Sequence, residues 1–92
     1  MGTKIGDPDG IRTFAKVLVD WCQETQSSLQ RLRSHLDQMQ ASMTWADDNH
    51  AAYMEEFDHG AIHLQRILAE FEQNQANRLV ALAGEYDDVR WR

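Results

Sequence analysis

Apolar residues recur at steps of three and four along nearly the whole chain, and the pattern breaks once, near the middle. Such steps match the 3.6-residue period of an α-helix and keep apolar side chains on one helical face. The series in the first half consists of Ile11, Phe14, Leu18, Trp21 or Cys22, Thr25, Leu29, Leu32, Leu36, Met39 and Met43. The series in the second half consists of Tyr53, Phe57, Ala61, Leu64, Leu68, Phe71, Gln75, Leu79, Leu82, Tyr86 and Val89. The sequence therefore predicts two long amphipathic helices and an all-α fold.

The ends of the predicted helices carry residues that cap helices and form turns. Asp7 followed by Pro8 is typical of a helix start, because the Asp side chain can accept amide hydrogens of the first turn and Pro lacks one of them. The break contains Thr, Asp and Asn, which favour turns and caps. We predict helix one at about 8–43, a turn at about 44–48 and helix two at about 49–90. So short a turn makes the helices antiparallel, as a helix-turn-helix hairpin of one domain.

The apolar surface of these helices is wider than one pair of helices can cover. Further apolar residues flank both series, among them Val17 and Val19 in helix one and Ile62 and Ile67 in helix two. Leaving such side chains in water forgoes about 1.5 to 3 kcal/mol each. We therefore expect two hairpins to dimerise into a four-helix bundle. The expected helix-packing interface consists of Phe14, Leu18, Trp21, Leu29, Leu32, Leu36, Tyr53, Phe57, Leu64, Leu68, Phe71, Leu79 and Leu82.

Composition and charge restrict the classes of function open to the chain. Its 92 residues carry 15 acidic and 9 basic side chains, and the formal net charge of -6 disfavours binding to nucleic-acid phosphates or anionic lipid. No apolar stretch approaches the roughly 20 residues that a membrane helix needs, and the N-terminus has no signal-peptide h-region. We expect no nucleic-acid partner and no membrane insertion. The expected location is cytoplasmic, or secreted without a cleaved signal peptide.

The residue patterns do not predict catalysis or a cofactor. Cys22 is the only cysteine, and a buried thiol that packs as a small hydrophobe is the expected state. His59 and His63 have the i, i+4 spacing that places two imidazoles on one helical face, with Glu55 or Glu56 one turn earlier. Two solvated histidines are the simpler interpretation, because no glutamate follows His59 as in the zinc-protease motif. We expect no enzyme activity, no cofactor and no metal, with the histidine pair as the open alternative.

Gly60 and Trp45 each admit two interpretations. Gly60 lies inside helix two at a cost of about 1 kcal/mol relative to Ala, so it either permits a close crossing by another helix or is a tolerated defect. Trp45 is a large aromatic residue in a turn of small polar ones. It can cover the end of the hairpin, anchor a partner, or do both. His35 and His50 are expected at the surface.

The turn and the residues after it resemble a known family. The residues that carry the likeness are Trp45-Ala46-Asp47 at the turn, Ala51-Ala52-Tyr53 and Phe57 early in helix two, and the stripe Leu64, Leu68 and Phe71. On a chain of this size with two long helices, they resemble the WXG family of small type VII (ESX-type) secretion proteins. The turn of that family is Trp-x-Gly, and Asp47 occupies the glycine position here. Its C-terminal export signal is Tyr-x-x-x-Asp/Glu, whereas Arg90 stands four residues after Tyr86.

The resemblance implies a leaderless hairpin that works through helix packing. Such a chain would pair with itself, with a related helical hairpin, or with the helical domain of a larger secreted effector, and would be presented to a secretion ATPase. Trp45, Asp47 and Tyr86 would be its turn and recognition residues. With no acid four residues after Tyr86, either the partner supplies the export signal or the chain is an adaptor that is not exported. The alternative class is a cytosolic helical adaptor or regulator that binds a protein partner and has no role in secretion.

Overall fold

The computed structural model describes residues 5–90, which form a helical hairpin with no strand among them. Helix α1 spans Pro8–Ala41, and helix α2 spans Asp48–Glu70. A π-helical segment, Phe71–Gln75, follows α2 directly and leads into helix α3, Ala76–Arg90. The all-α fold and the hairpin predicted from the sequence are confirmed. Within these residues, none of the helices combines the length and apolar character that crossing a membrane requires.

Helix α1 begins at Pro8 because Asp7 supplies the missing hydrogen-bond acceptors. The amide of Asp9 donates to Asp7 Oδ1 at 3.2 Å, and the amide of Ile11 donates to the Asp7 carbonyl oxygen at 3.0 Å. Pro8 itself is buried and has no amide hydrogen to satisfy. The capping role inferred for Asp7 from the sequence is therefore the one it has in the structure.

Helix α1 ends at Ala41, two residues before the end of its apolar series. Met43 has a φ of 61°, the left-handed conformation that stops an α-helix. Its amide donates to the carbonyl oxygen of Gln40 at 3.1 Å, and the amide of Trp45 reaches back to the carbonyl oxygen of Met39 at 3.1 Å. The turn accordingly occupies residues 42–47 rather than 44–48, since α2 begins at Asp48.

The chain divides into two compact units, and the first combines α1 up to Cys22 with the residues from Ala69 onwards. The side chains described as buried in this unit are small, which allows helices to approach closely. Trp21, by contrast, is exposed and meets Phe71 edge-on, with ring centroids 6.4 Å apart. Cys22, not Trp21, therefore occupies the core position that the sequence left open. The buried apolar residues that the structure describes in this unit are Pro8, Ala15, Cys22, Ala76 and Ala83.

The π segment changes which residues of the last helix face inward. A π turn accommodates about one more residue than an α turn, so the buried face moves one position along the sequence. The amide of Ala76 donates to the carbonyl oxygen of Phe71, as the π geometry requires. Ala76 is buried, whereas Gln75, which the uninterrupted series placed on the apolar face, is exposed. The side chain of Val89, the last member of that series, lies outside the described residues.

An ion pair joins α1 to α3 in the first unit. Arg12 donates a hydrogen bond to Asp87, and its second guanidinium nitrogen lies 3.5 Å from Asp9. The hydrogen bond that Arg12 donates to Asp87 raises the pKa of Arg12 above its ordinary value, although desolvation acts in the opposite direction. Both side chains are partly in contact with water, so the pair aligns the helices more than it stabilises them.

The second unit runs from Gln23 to Leu68 and consists of the rest of α1, the turn and most of α2. Leu36 and Leu68 are its buried apolar residues. Arg33 on α1 meets the carboxylate of Asp58 on α2 with two hydrogen bonds, Nε to Oδ1 at 2.7 Å and Nη2 to Oδ2 at 3.2 Å. This two-pronged contact raises the pKa of Arg33 and sets the register of the two antiparallel helices.

We expect Met43→Gly to stabilise the protein by about 1 kcal/mol, because glycine adopts the left-handed conformation without the steric penalty that methionine carries. Few contacts are lost, since Met43 is 79% exposed. Urea unfolding monitored by circular dichroism should show a higher midpoint with an unchanged slope. Met43→Ala is the control and should gain nothing, because it keeps the penalty. A Met43→Gly midpoint at or below that of wild type would contradict this account of the turn.

We also expect the Cys22 thiol to resist alkylation in the native protein. Burial raises the pKa of this thiol, and the negative charge of Glu72 raises it further, so little reactive thiolate forms. At pH 8 a thiol reagent should react at least about 100-fold faster after denaturation. Ser27→Cys in a Cys22→Ala background places a thiol on the exposed side of α1 and should react rapidly while folded. Equal rates for native and denatured wild type would show that Cys22 is accessible.

Candidate functional site

The side chain of Asp47 organises the turn between the two long helices. Its Oδ1 atom accepts a hydrogen bond from the amide of His50 at 3.1 Å, which is the N-cap contact of α2. The same oxygen accepts the indole Nε1–H of Trp45 at 3.0 Å. The Asp47 carbonyl oxygen also accepts the amide of Ala51 at 3.3 Å. One carboxylate therefore starts the helix and holds the tryptophan.

The ring of Trp45 packs on the first turns of α2. Its centroid lies 5.1 Å from that of His50 in an edge-to-face arrangement and 5.9 Å from that of Tyr53. Both distances are typical of favourable aromatic pairs. Trp45 is partly buried by these contacts. The ring thus covers the end of the hairpin, while its use as an anchor for a partner stays a prediction.

The expectation that His50 lies at the surface is wrong. Its side chain is only 1% exposed, and Nε2 lies 2.9 Å from the carbonyl oxygen of Leu36 on α1. A carbonyl oxygen can only accept, so Nε2 carries the proton and donates it. The burial of His50 could have been predicted from its spacing in the sequence. It lies seven residues before Phe57 and fourteen before Leu64, so it shares their helical face.

The other three histidines, His35, His59 and His63, are exposed. Within residues 5–90, no three side chains of the types His, Cys, Asp and Glu converge closely enough to bind a metal ion together. His59 and His63 therefore have no third ligand nearby among the residues that the structure describes. Both residues lie on α2, four residues apart, as the sequence predicts.

Tyr86, the C-terminal residue of the family resemblance, lies on α3 in the first unit, whereas Trp45 belongs to the second. Its ring packs against the backbone of Gly6. A Cβ atom added at Gly6 would lie 2.8 Å from two ring carbons of Tyr86, a distance that real Cβ contacts essentially never show. Glycine at position 6 is therefore what allows this contact. Arg90 continues α3, but its side chain lies outside the described part of the chain.

The residues expected at the helix-packing interface differ widely in exposure. Leu36 and Leu68 are buried by the chain itself. Partly buried members are Leu18, Leu29, Phe57, Leu64, Phe71, Leu79 and Leu82. Exposed members are Phe14, Trp21, Leu32 and Tyr53. A partner could still cover these exposed side chains in each unit. Val17 and Val80 add to them in the first unit, and Ile62 and Ile67 in the second.

An open groove runs along one side of the second unit, between α1 and α2. The ion pair of Arg33 and Asp58 lies in it, and Ile62 stands exposed at its edge. Its other lining residues are Leu29, Gln30, Phe57, Ala61 and Gln65. The groove marks the side of α2 that carries Asp58 and Ile62.

Comparison of the chain with protein-family models, with curated proteins and with solved structures found no match.

We expect Asp47→Ala to cost about 1 kcal/mol of stability, the usual price of losing an N-cap, and to free the indole of Trp45. The indole N–H resonance of Trp45, assigned with Trp45→Phe, should shift and exchange faster with water. Asp47→Asn should keep most of the helix cap and of the contact with the Trp45 indole, because its amide oxygen can still accept both hydrogen bonds. Asp48→Ala removes the exposed acid one residue later and is the matched control. An unshifted Trp45 resonance in Asp47→Ala would exclude the shared-acceptor arrangement.

Proposed function

We propose that this chain is a WXG-like small helical protein of a type VII-like secretion pathway. It acts there as a secreted factor, or as the export partner of a larger effector, through helix packing. The observation that carries the proposal is the turn at Trp45, where a tryptophan next to the start of the second long helix is held by the side chain two residues later. The expected partners are a second copy, a related helical hairpin or the helical domain of an effector, with a secretion ATPase as the receiving protein.

The geometry of the turn supports the exchange of the family's glycine for Asp47. Within residues 5–90, only Met43 has a positive φ, so the position of Asp47 does not demand glycine. An aspartate there adds an N-cap for α2 and an acceptor for the Trp45 indole. The Trp-x-Asp sequence is thus compatible with the same kind of turn that a Trp-x-Gly sequence would form.

The exposed surface supports a function based on association. Large apolar side chains are exposed to water in both units: Phe14 in the first unit is 56% exposed, and Leu32 in the second is 58% exposed. Burying a side chain of this size contributes about 1.5 to 3 kcal/mol. A helical partner would cover such side chains and stabilise the hairpin.

The C-terminal residues support a complex in which this chain and its partner contribute different export elements. Arg90 stands where the family has an acid, and Tyr86 packs against Gly6. We therefore place the intact export signal on the partner, with this chain contributing the tryptophan turn. The same residues favour the second candidate, a cytosolic adaptor that binds a helical protein and is never exported.

Export tests can separate these two functions. In a host with a type VII-type secretion system, co-expressed with its genomic neighbours, the wild-type chain should accumulate in the culture medium. Trp45→Phe keeps a ring over His50 but loses the indole N–H, and should reduce export at least about tenfold, as loss of an anchoring residue does. Asp48→Ala changes an exposed residue of the same region but keeps the indole and its acceptor, so it is the matched control and should be exported normally. Retention of wild type and both variants in the cytoplasm would favour the adaptor.

Restoring the family's acid gives an independent test of whether the partner supplies the export signal. Arg90→Glu should allow export without the partner, because the Tyr-x-x-x-Glu signal then lies on this chain. Arg78→Glu changes the net charge by the same amount at an exposed position of α3. It should not allow export without the partner. Partner-independent export of the wild type would contradict the proposal that the partner supplies the signal.

A further inference from the structure

Three residues of α2 form a straight exposed line, which we call the Gly60 stripe: Tyr53, Gly60 and Ile67. They are seven residues apart, so they lie along one edge of the helix. Tyr53 is 45% exposed and Ile67 is 47% exposed. A Cβ atom added at Gly60 would find no atom within 4 Å. The stripe therefore presents bare backbone between two large apolar side chains.

Among residues 5–90, no neighbouring atom explains the glycine at this position. Gly60 is in the interior of α2, where it weakens the helix relative to alanine, and alanine would fit without any contact. The helical period places Asp58 and Ile62 of the open groove on the other side of α2 from Tyr53 and Ile67. A bare backbone on an outward face is what a close crossing by another helix requires.

Tyr53 and Ile67 are both large and lie equally far from Gly60, so the stripe can pack against a second copy of itself. When two copies of α2 cross antiparallel at Gly60, a residue seven positions before the crossing meets the residue seven positions after it in the other copy. Tyr53 of each copy then packs on Ile67 of the other, and the two Gly60 backbones meet. A self-complementary patch of this kind is what a two-fold interface needs.

The charges of α2 favour the same antiparallel arrangement. The part of α2 before Gly60 contains four acids, and the part after it contains His63, Arg66 and a single acid, Glu70. An antiparallel copy places the acidic half of each helix against the half that carries Arg66 and fewer acids. A parallel copy would place acids against acids, which is unfavourable.

We propose that the Gly60 stripe is the surface on which a second copy of this chain packs, antiparallel, α2 against α2. The inference rests on the association through helix packing proposed above, and it names the partner and the surface. The exposed side chain of Leu32 on α1 lies on the same side of the second unit by its helical position, so it adds apolar area beside the crossing.

Sedimentation velocity at increasing concentration tests the surface. The wild type should form dimers, and Gly60→Leu should raise the dissociation constant at least about tenfold, because its side chain separates the two backbones. Gly84→Leu is the matched control, since a Cβ at Gly84 also finds no atom within 4 Å. It should dimerise as the wild type does. Equal dimerisation of Gly60→Leu and wild type, or equal weakening by Gly84→Leu, would overturn the proposal.

Gly60→Ala separates loss of the interface from loss of the fold. As a monomer this variant should unfold at higher urea than the wild type, because alanine favours the helix, and yet it should dimerise more weakly. A variant that was less stable and less dimeric would point to a role of Gly60 inside the single chain and would count against the proposal.

Cysteine cross-linking tests the antiparallel register in a Cys22→Ala background. Gly60→Cys should form a disulfide-linked dimer on mild oxidation, because the two positions meet at the crossing. Tyr53→Cys alone should not form a disulfide-linked dimer, but a mixture of Tyr53→Cys with Ile67→Cys should form one. Cross-linking of Tyr53→Cys with itself would indicate a parallel pair and would overturn the register.

The outcomes for the surface and for the proposed function are distinguishable. Dimers that cross-link as expected but are retained in the cytoplasm would contradict the secretion role and leave the interface standing. A wild-type chain that is exported but stays monomeric at the highest concentration reached would overturn the interface and leave the secretion role standing.

Discussion

The shared hydrogen-bond acceptor at Asp47 is the contact on which the turn depends. One oxygen satisfies an amide in the first turn of α2 and the indole of Trp45, so the position of the ring and the start of the helix are set together. The capped residue, His50, then donates from its buried ring to the carbonyl oxygen of Leu36 on α1. Helix start, aromatic cover and contact between helices thus form one connected network. Its buried member is the hydrogen bond from His50 to Leu36, so loss of the imidazole would leave the Leu36 carbonyl oxygen unsatisfied.

The small side chains inside the first unit have a consequence for its surface. Ala15, Cys22 and Ala76 let the helices approach closely, but they leave the large residues of α1 outside. Phe14 and Trp21 are therefore on the surface for a packing reason and not by chance. Exposed apolar side chains of this kind are the physical basis of the association proposed above, because a partner would remove them from water.

The helical period predicted the helices well because it repeats over many turns, and each turn adds to the signal. It could not choose between Trp21 and Cys22, since adjacent residues differ by about 100° and both are apolar. The π segment was invisible to it as well, because one extra residue after Phe71 shifts the buried face without changing the spacing on either side. The capping roles of Asp7 and the turn region were predictable from local chemistry, which depends only on neighbours in sequence.

The sequence by itself determined that this chain forms two long antiparallel helices around a tryptophan turn, because periodicity and caps are local properties. Only the tertiary structure decided that His50 is buried and bonded to Leu36, and that Ala76, not Gln75, faces inward. Only it could show that Gly60 has open space above it. These features depend on which faces of distant segments meet, and a pattern read along one helix carries no information about what stands opposite.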